Sequence, residues 1–352
     1  MTPRIHESPL RRLPPRRLAV VATLACASLL AACGGGGDDP GRPVAPMSQS
    51  DATADAANAS STGSDTASAL DTLVDTTTAL APVLAATAAA AASSDARTQV
   101  ESARPETSPV PPSISGTVAC PGGGTATLTV TGTLELLRNG QLDTGEAYAV
   151  TYAQCSGGAG LARLDGRVDL AVLSADHTTS PASVSVGITA THLVLALPAG
   201  NATLDGTATL ARSVATSGDT TTLTSHVTVP SATLATTFNA RNGTFALSDL
   251  DATRTVTSVG GSVTEWQYTG HHTLSGTAWG RTFSMNVSTT GSIHGDAGGA
   301  LVSGAWTVIR PHATVATTVA NGLVVITVDD GNDGTIDHTW TFPAAQLAAS
   351  AG

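Results

Sequence analysis

The chain has 352 residues and a formal net charge of -11, with only 3% aromatic and 12% charged residues. All 16 basic residues are arginine, which excludes Schiff-base chemistry and any phosphate-binding lysine. A nucleic-acid partner is excluded on charge, since that binding needs Lys and Arg to neutralise phosphates.

Residues 1–32 combine an arginine-rich start (Arg4, Arg11, Arg12, Arg16, Arg17) with an apolar run from Leu18 to Ala32. Fifteen residues fall short of the ~20 needed to span a bilayer as a helix, so the run reads as a secretory signal. The junction Leu30-Ala31-Ala32-Cys33, followed by Gly34 to Gly37, resembles the lipobox of bacterial lipoproteins. That resemblance implies cleavage before Cys33, acylation of its thiol and amino group, and a lipid-anchored mature chain. Gly34 in place of an aspartate implies an outer-membrane address. Loss of the signal leaves 11 basic and 26 acidic residues.

Residues 33–112 are rich in Ala, Ser, Thr, Asp and Pro, without an aromatic residue. Such a composition predicts a flexible, disordered linker, because it offers little apolar surface to offset ordering entropy. Leu70, Leu73, Val74, Leu80, Val83 and Leu84 form a weak helical stripe between Ala67 and Ala92, interrupted by Pro82, which predicts a transient or short helix within the spacer. The stretch "RPETSPVPPS" marks the boundary of the next domain.

From residue 113 to 352 the period changes to two. Thr125 to Leu136 places Ala126, Leu128, Val130 and Leu134 on one face and threonines on the other. Similar runs continue to "GLVVITV", with no helical stripe before "AAQLAAS". The pattern predicts an all-β domain: an antiparallel meander of about fifteen strands forming a strongly coiled sheet, barrel or half-barrel. A recurrent apolar-x-Gly-x-apolar unit puts Gly116, Gly132, Gly166, Gly206, Gly276 and Gly304 on apolar faces. Glycine in mid-strand marks coiling, a bulge or a close approach across the concave face.

Cys120 and Cys155 are the cysteines left after processing and anchoring. Alternating strand directions bring both to the same end of the meander, beside glycine turns, so in an oxidising compartment they are expected to pair. His192 aligns with Val186, Ile188 and Val194 and reads as a core histidine, whereas His271 and His272 must point to opposite faces. The run "DDGNDGTIDHTW" gathers Asp329, Asp333 and Asp337 around Gly334. It resembles the Asp-rich calcium loops of dockerin and EF-hand proteins, which implies calcium as a cofactor, although Gly331 stands at the third ligand position and Trp340 at the closing one. A plain hairpin turn uses the same residues.

No nucleophile elbow, zinc helix, Walker loop or dinucleotide fingerprint occurs. The expectation is a non-enzymatic envelope or surface lipoprotein, joined to the membrane by its anchor and serving in binding or structure. A carrier of apolar ligands on the concave sheet is the alternative, and an unidentified envelope hydrolase a further one.

Overall fold

The computed structural model describes residues 46–95, 113–120, 122–132, 141–156, 163–197, 200–238, 241–278 and 281–350. One long helix, α1 (Gln49–Asp95), precedes fourteen strands and a short closing helix, α2 (Ala344–Ser350). The strands are β1 (Ser113–Ala119), β2 (Thr125–Thr131), β3 (Ala147–Ser156), β4 (Arg163–Asp176), β5 (Ala182–Leu197), β6 (Gly200–Ser217) and β7 (Thr220–Phe238). They continue as β8 (Arg241–Val259), β9 (Ser262–Ala278), β10 (Arg281–Asp296), β11 (Leu301–Arg310), β12 (Ala313–Ala320), β13 (Leu323–Asp330) and β14 (His338–Pro343). All fourteen lie in one antiparallel sheet in sequence order. The meander expected from the period is therefore present, but β1 and β14 remain its two edges and the sheet does not close into a barrel.

Part of the segment expected to be a disordered linker is α1, and this is the main correction. Ser48 caps the helix: its Oγ accepts from the Asp51 amide at 3.2 Å and donates to the Asp51 carboxylate at 2.6 Å. Alanine, the best helix former, carries the backbone onward. The hydroxyls do not need water, because Thr53, Thr62 and Thr66 donate to carbonyls four residues earlier and Ser60 to the one three earlier. With their oxygens turned inward, these residues present methyl and methylene surface. From Asp51 to Asp71 no residue is fully exposed, and the helix's small side chains let it pack closely against β1, β6 to β9 and β11 to β13. Ala52, Ala56, Ala57, Ala59, Ala67 and Val74 share one core with Leu128, Tyr148, Leu210, Leu250, Tyr268 and Trp306 of the sheet.

Coiling is produced by bulges that step from strand to strand. Register shifts occur between β3 and β4 at Tyr152/Cys155, β4 and β5 at Asp165/Arg167, β5 and β6 at Ala190/Leu193, and β8 and β9 at Ser248/Asp251. The repeated Asp-Gly pairs serve this crease. Asp165 accepts the amide of the bulged Gln154, and Asp205 that of the bulged His192, each at 2.7 Å. The following glycines make room: a Cβ on Gly166 would lie 2.1 Å from the His192 carbonyl oxygen, and one on Gly206 2.6 Å from the Ala232 Cβ. The bulge also overturns the core placement of His192, whose side chain is 82% exposed and bonded to Asp205. Adding one residue to a strand moves every later side chain to the other face.

Cys120 and Cys155 form the expected disulfide, with Cα atoms 5.4 Å apart. It ties the loop after β1 to the end of β3 and closes a loop of sequence separation 35. Replacing both cysteines by serine should lower stability by about 3–4 kcal/mol on the chain-entropy account. Urea unfolding with and without the pair reads this directly; coincident curves would show that the loop needs no bridge.

Candidate functional site

The inner face is mostly apolar core, with a small set of buried charged and polar groups, and α1 covers it. Five contacts pin residues 47–71, the approach to the helix and its first half. The Met47 amide donates to the Asp330 carboxylate on β13 at 3.1 Å, and Arg310 on β11 is ion-paired with Asp55. Trp306 Nε1 donates to the Ala56 carbonyl at 3.0 Å. Tyr268 on β9 lies so close to Gly63 that a Cβ there would stand 1.7 Å from its hydroxyl oxygen. Ser225 on β7 donates to both carboxylate oxygens of Asp71, at 3.0 and 2.8 Å.

Ser225 belongs to a row running straight across the inner face. The ladder pairs Val184 of β5 with Arg212 of β6, Arg212 with Ser225, Ser225 with Arg254 of β8, and Arg254 with Tyr268. Two arginines thus flank one serine on adjacent strands, about 4.8 Å apart in the hydrogen-bonding direction, with the Asp71 carboxylate over the middle of the row. Burial depresses the Arg254 pKa, and the charges of Asp71 and Asp65 work against that shift. Asp65 is shifted upward by burial, with Arg254 opposing. Burial raises the Asp55 carboxyl to about 6, even against the Arg310 guanidinium.

His272, 2% exposed on the inner face, is pushed by burial down to about 4. Its neighbour His271 is exposed, so the pair does point to opposite faces. The two shifts have opposite signs for stability. Asp55, raised in the fold, binds a proton there more tightly than when unfolded, so its contribution falls as pH rises from about 4 to 6. His272, lowered in the fold, is charged sooner when unfolded, so its contribution falls as pH drops from about 6.5 to 4. Asp55→Asn should therefore steepen the loss of melting temperature between pH 6.5 and 4, and His272→Gln should flatten it. Parallel profiles for all three proteins would contradict this assignment.

The Asp-rich loop does not bring its three sequence-predicted ligands together. Asp329 accepts the amides of Asp333 and Gly334 at 3.1 and 2.8 Å, Asp333 accepts that of Thr335 at 2.8 Å, and Asp337 accepts that of Asp330 at 2.8 Å. Each carboxylate caps the turn's own backbone, which is the hairpin use of Asp. Among the described residues no group of three or more His, Cys, Asp or Glu side chains is placed to hold a metal ion. Cys33 and the signal lie outside the described residues.

On the outer face, β2 to β6 form a shallow groove of about 550 Å³, lined by Thr129, Thr131, Thr189, Thr207 and the Arg167–Asp169 pair among others. Arg167 is bonded to Asp169 through Nε and Nη2, at 2.7 to 2.9 Å. The groove offers mainly hydroxyls, methyls and one ion pair.

The interior row escaped sequence reading, although a signal existed. Arg212 follows Leu210 by two and precedes Val214 by two, so strict alternation already places it on the apolar face. Likewise Ser48-x-x-Asp51 has the spacing of a capping box, which announces the helix 19 residues before Ala67. Compared with known proteins, the chain matches no family model, no curated protein and no solved structure.

Proposed function

We propose that this chain is a lipid-anchored protein of the bacterial outer membrane whose β-domain is a non-enzymatic binding or structural body held close to the lipid surface. The lipobox-like junction at Cys33 supports the anchor, and several acyl chains make such anchoring stable. The observation that carries the reading is the seat of Met47 on Asp330, immediately before the capped start of α1. Only thirteen residues lie between Cys33 and Met47, a reach of at most about 50 Å when fully extended. The domain thus stands near the bilayer, where an 80-residue linker would have let it range widely. No described helix is long and apolar enough to cross a membrane.

The inner carboxylates and arginines are directed at one another across the helix-sheet interface, which is a structural use of charge. Replacing Cys33 with serine should release the protein from the membrane fraction into the soluble periplasm or medium. Retention of Cys33→Ser in membranes, extractable only by detergent, would overturn the anchor.

A further inference from the structure

The concave face meets α1 with two kinds of surface. Leu210, Val227, Leu250, Tyr268 and Ile293 make it apolar, and each is buried in the core the helix shares. Across this surface runs the row Arg212, Ser225, Arg254, in which Ser225 is 1% exposed and directs its hydroxyl at the Asp71 carboxylate. A serine hydroxyl between two guanidinium groups, desolvated and on rigid adjacent strands, is the donor set used for carboxylates and phosphates. The chain supplies its own anion to that set from a separate element.

Three features of α1 make it a displaceable occupant. It contributes no strand, so its stretch around Asp71 can lift away without breaking the sheet's ladder, which is formed wholly between consecutive strands, while its start at Asp55 and Ala56 keeps the core covered. Its buried contacts come largely from alanine, which gives each residue little apolar area to lose. Its interface is also imperfectly satisfied: Asp55 Oδ2 and both polar atoms of Asn58 are buried without a hydrogen-bond partner. Each such atom weakens docking by part of its desolvation cost.

We infer that the concave face is a binding site for an anionic amphiphile, whose acidic head takes the Arg212–Ser225–Arg254 row and whose chain lies on the apolar floor, with α1 as its competitor within the same molecule. The ligand class follows from one anion-binding row set in an otherwise largely apolar stretch of β6 to β10. It takes up the carrier alternative and is independent of the anchor, since it concerns only α1 and the sheet.

The test uses the full chain carrying Cys33→Ser, so that no acyl group of its own competes, titrated with dodecyl phosphate below its micelle concentration. Calorimetry should give one molecule bound per chain, and hydrogen exchange at residues 60–74 should accelerate on binding. Dodecyl maltoside, with the same tail and a neutral head, should bind at least about tenfold more weakly. Asp71→Asn removes the competing carboxylate while leaving the row intact, and should tighten dodecyl phosphate binding by about tenfold or more, as expected when the competent state becomes more populated. Arg254→Gln and the milder Ser225→Ala should both weaken it. Equal affinity for the two heads, or an Asp71→Asn affinity equal to that of the parent, would overturn the site; so would binding that leaves exchange in α1 unchanged.

Discussion

A chain cut to residues 113–352 should fail to fold as a stable soluble monomer, although the sequence period marks that segment as a complete β-domain. Its strands would keep their hairpins, but the concave face would lose its cover. Trp306, 1% exposed, and Tyr268, 2% exposed, face α1 in the full chain. Such side chains bury about 150–250 Å² each. At roughly 25 cal/mol per Å², uncovering even half of that area on the pair costs on the order of 5 kcal/mol, comparable with the ~5–15 kcal/mol that holds a typical domain together. Arg254 and Arg310 would at the same time lose Asp65, Asp71 and Asp55. The truncated chain should bind hydrophobic dyes, elute as aggregate and melt without a cooperative transition, and a peptide of residues 46–95 added in trans should restore part of the transition. A monomeric truncated chain melting within a few degrees of the full one would remove α1 from the core.

The second large effect is expected at the crease. Gly166 has φ +109°, a conformation that side-chain-bearing residues rarely adopt, and its missing Cβ leaves room for the His192 carbonyl oxygen at 2.1 Å. That carbonyl belongs to a bulge held by Asp205, so it cannot give way without undoing the next strand's register. Gly166→Val adds backbone strain and overpacking, each of about 1–3 kcal/mol. In a domain of this size the sum corresponds to a fall of about 10 °C in melting temperature. Gly218→Asn is the contrast: φ is +60° in a turn with nothing within 4 Å of a Cβ, and asparagine tolerates that region. It should melt within about 2 °C of the parent. If both variants melted alike, the glycine row would have no role in coiling the sheet.

The parts of the fold legible in the sequence are those governed by a local period. Alternation in Thr125 to Thr131 matches its observed inner and outer residues one for one, and strand directions were enough to bring Cys120 to Cys155. Alternation fails where a bulge intervenes, as at His192, because the pattern carries no mark for an inserted residue beyond the Asp-Gly pair on the next strand. The N-terminal segment misled for a different reason. Composition treats Ser, Thr and Asp as water-seeking, yet in α1 the hydroxyls are satisfied by the helix's own carbonyls, and Asp55 and Asp71 by Arg310 and Ser225 far along the chain. The arginines on apolar faces and the carboxylates on a polar helix each look like exceptions alone. Only their juxtaposition across the helix-sheet interface, 255 residues apart for Asp55 and Arg310, explains both.

The sheet is wound around α1, and amide hydrogen exchange across the full chain measures this most directly. Amides of residues 52–71 should exchange as slowly as those of β7 to β11, within about tenfold, because their opening requires loss of the shared core. Exchange of that segment within seconds, while the strands remain protected, would show a free spacer beside a self-sufficient sheet and contradict the account.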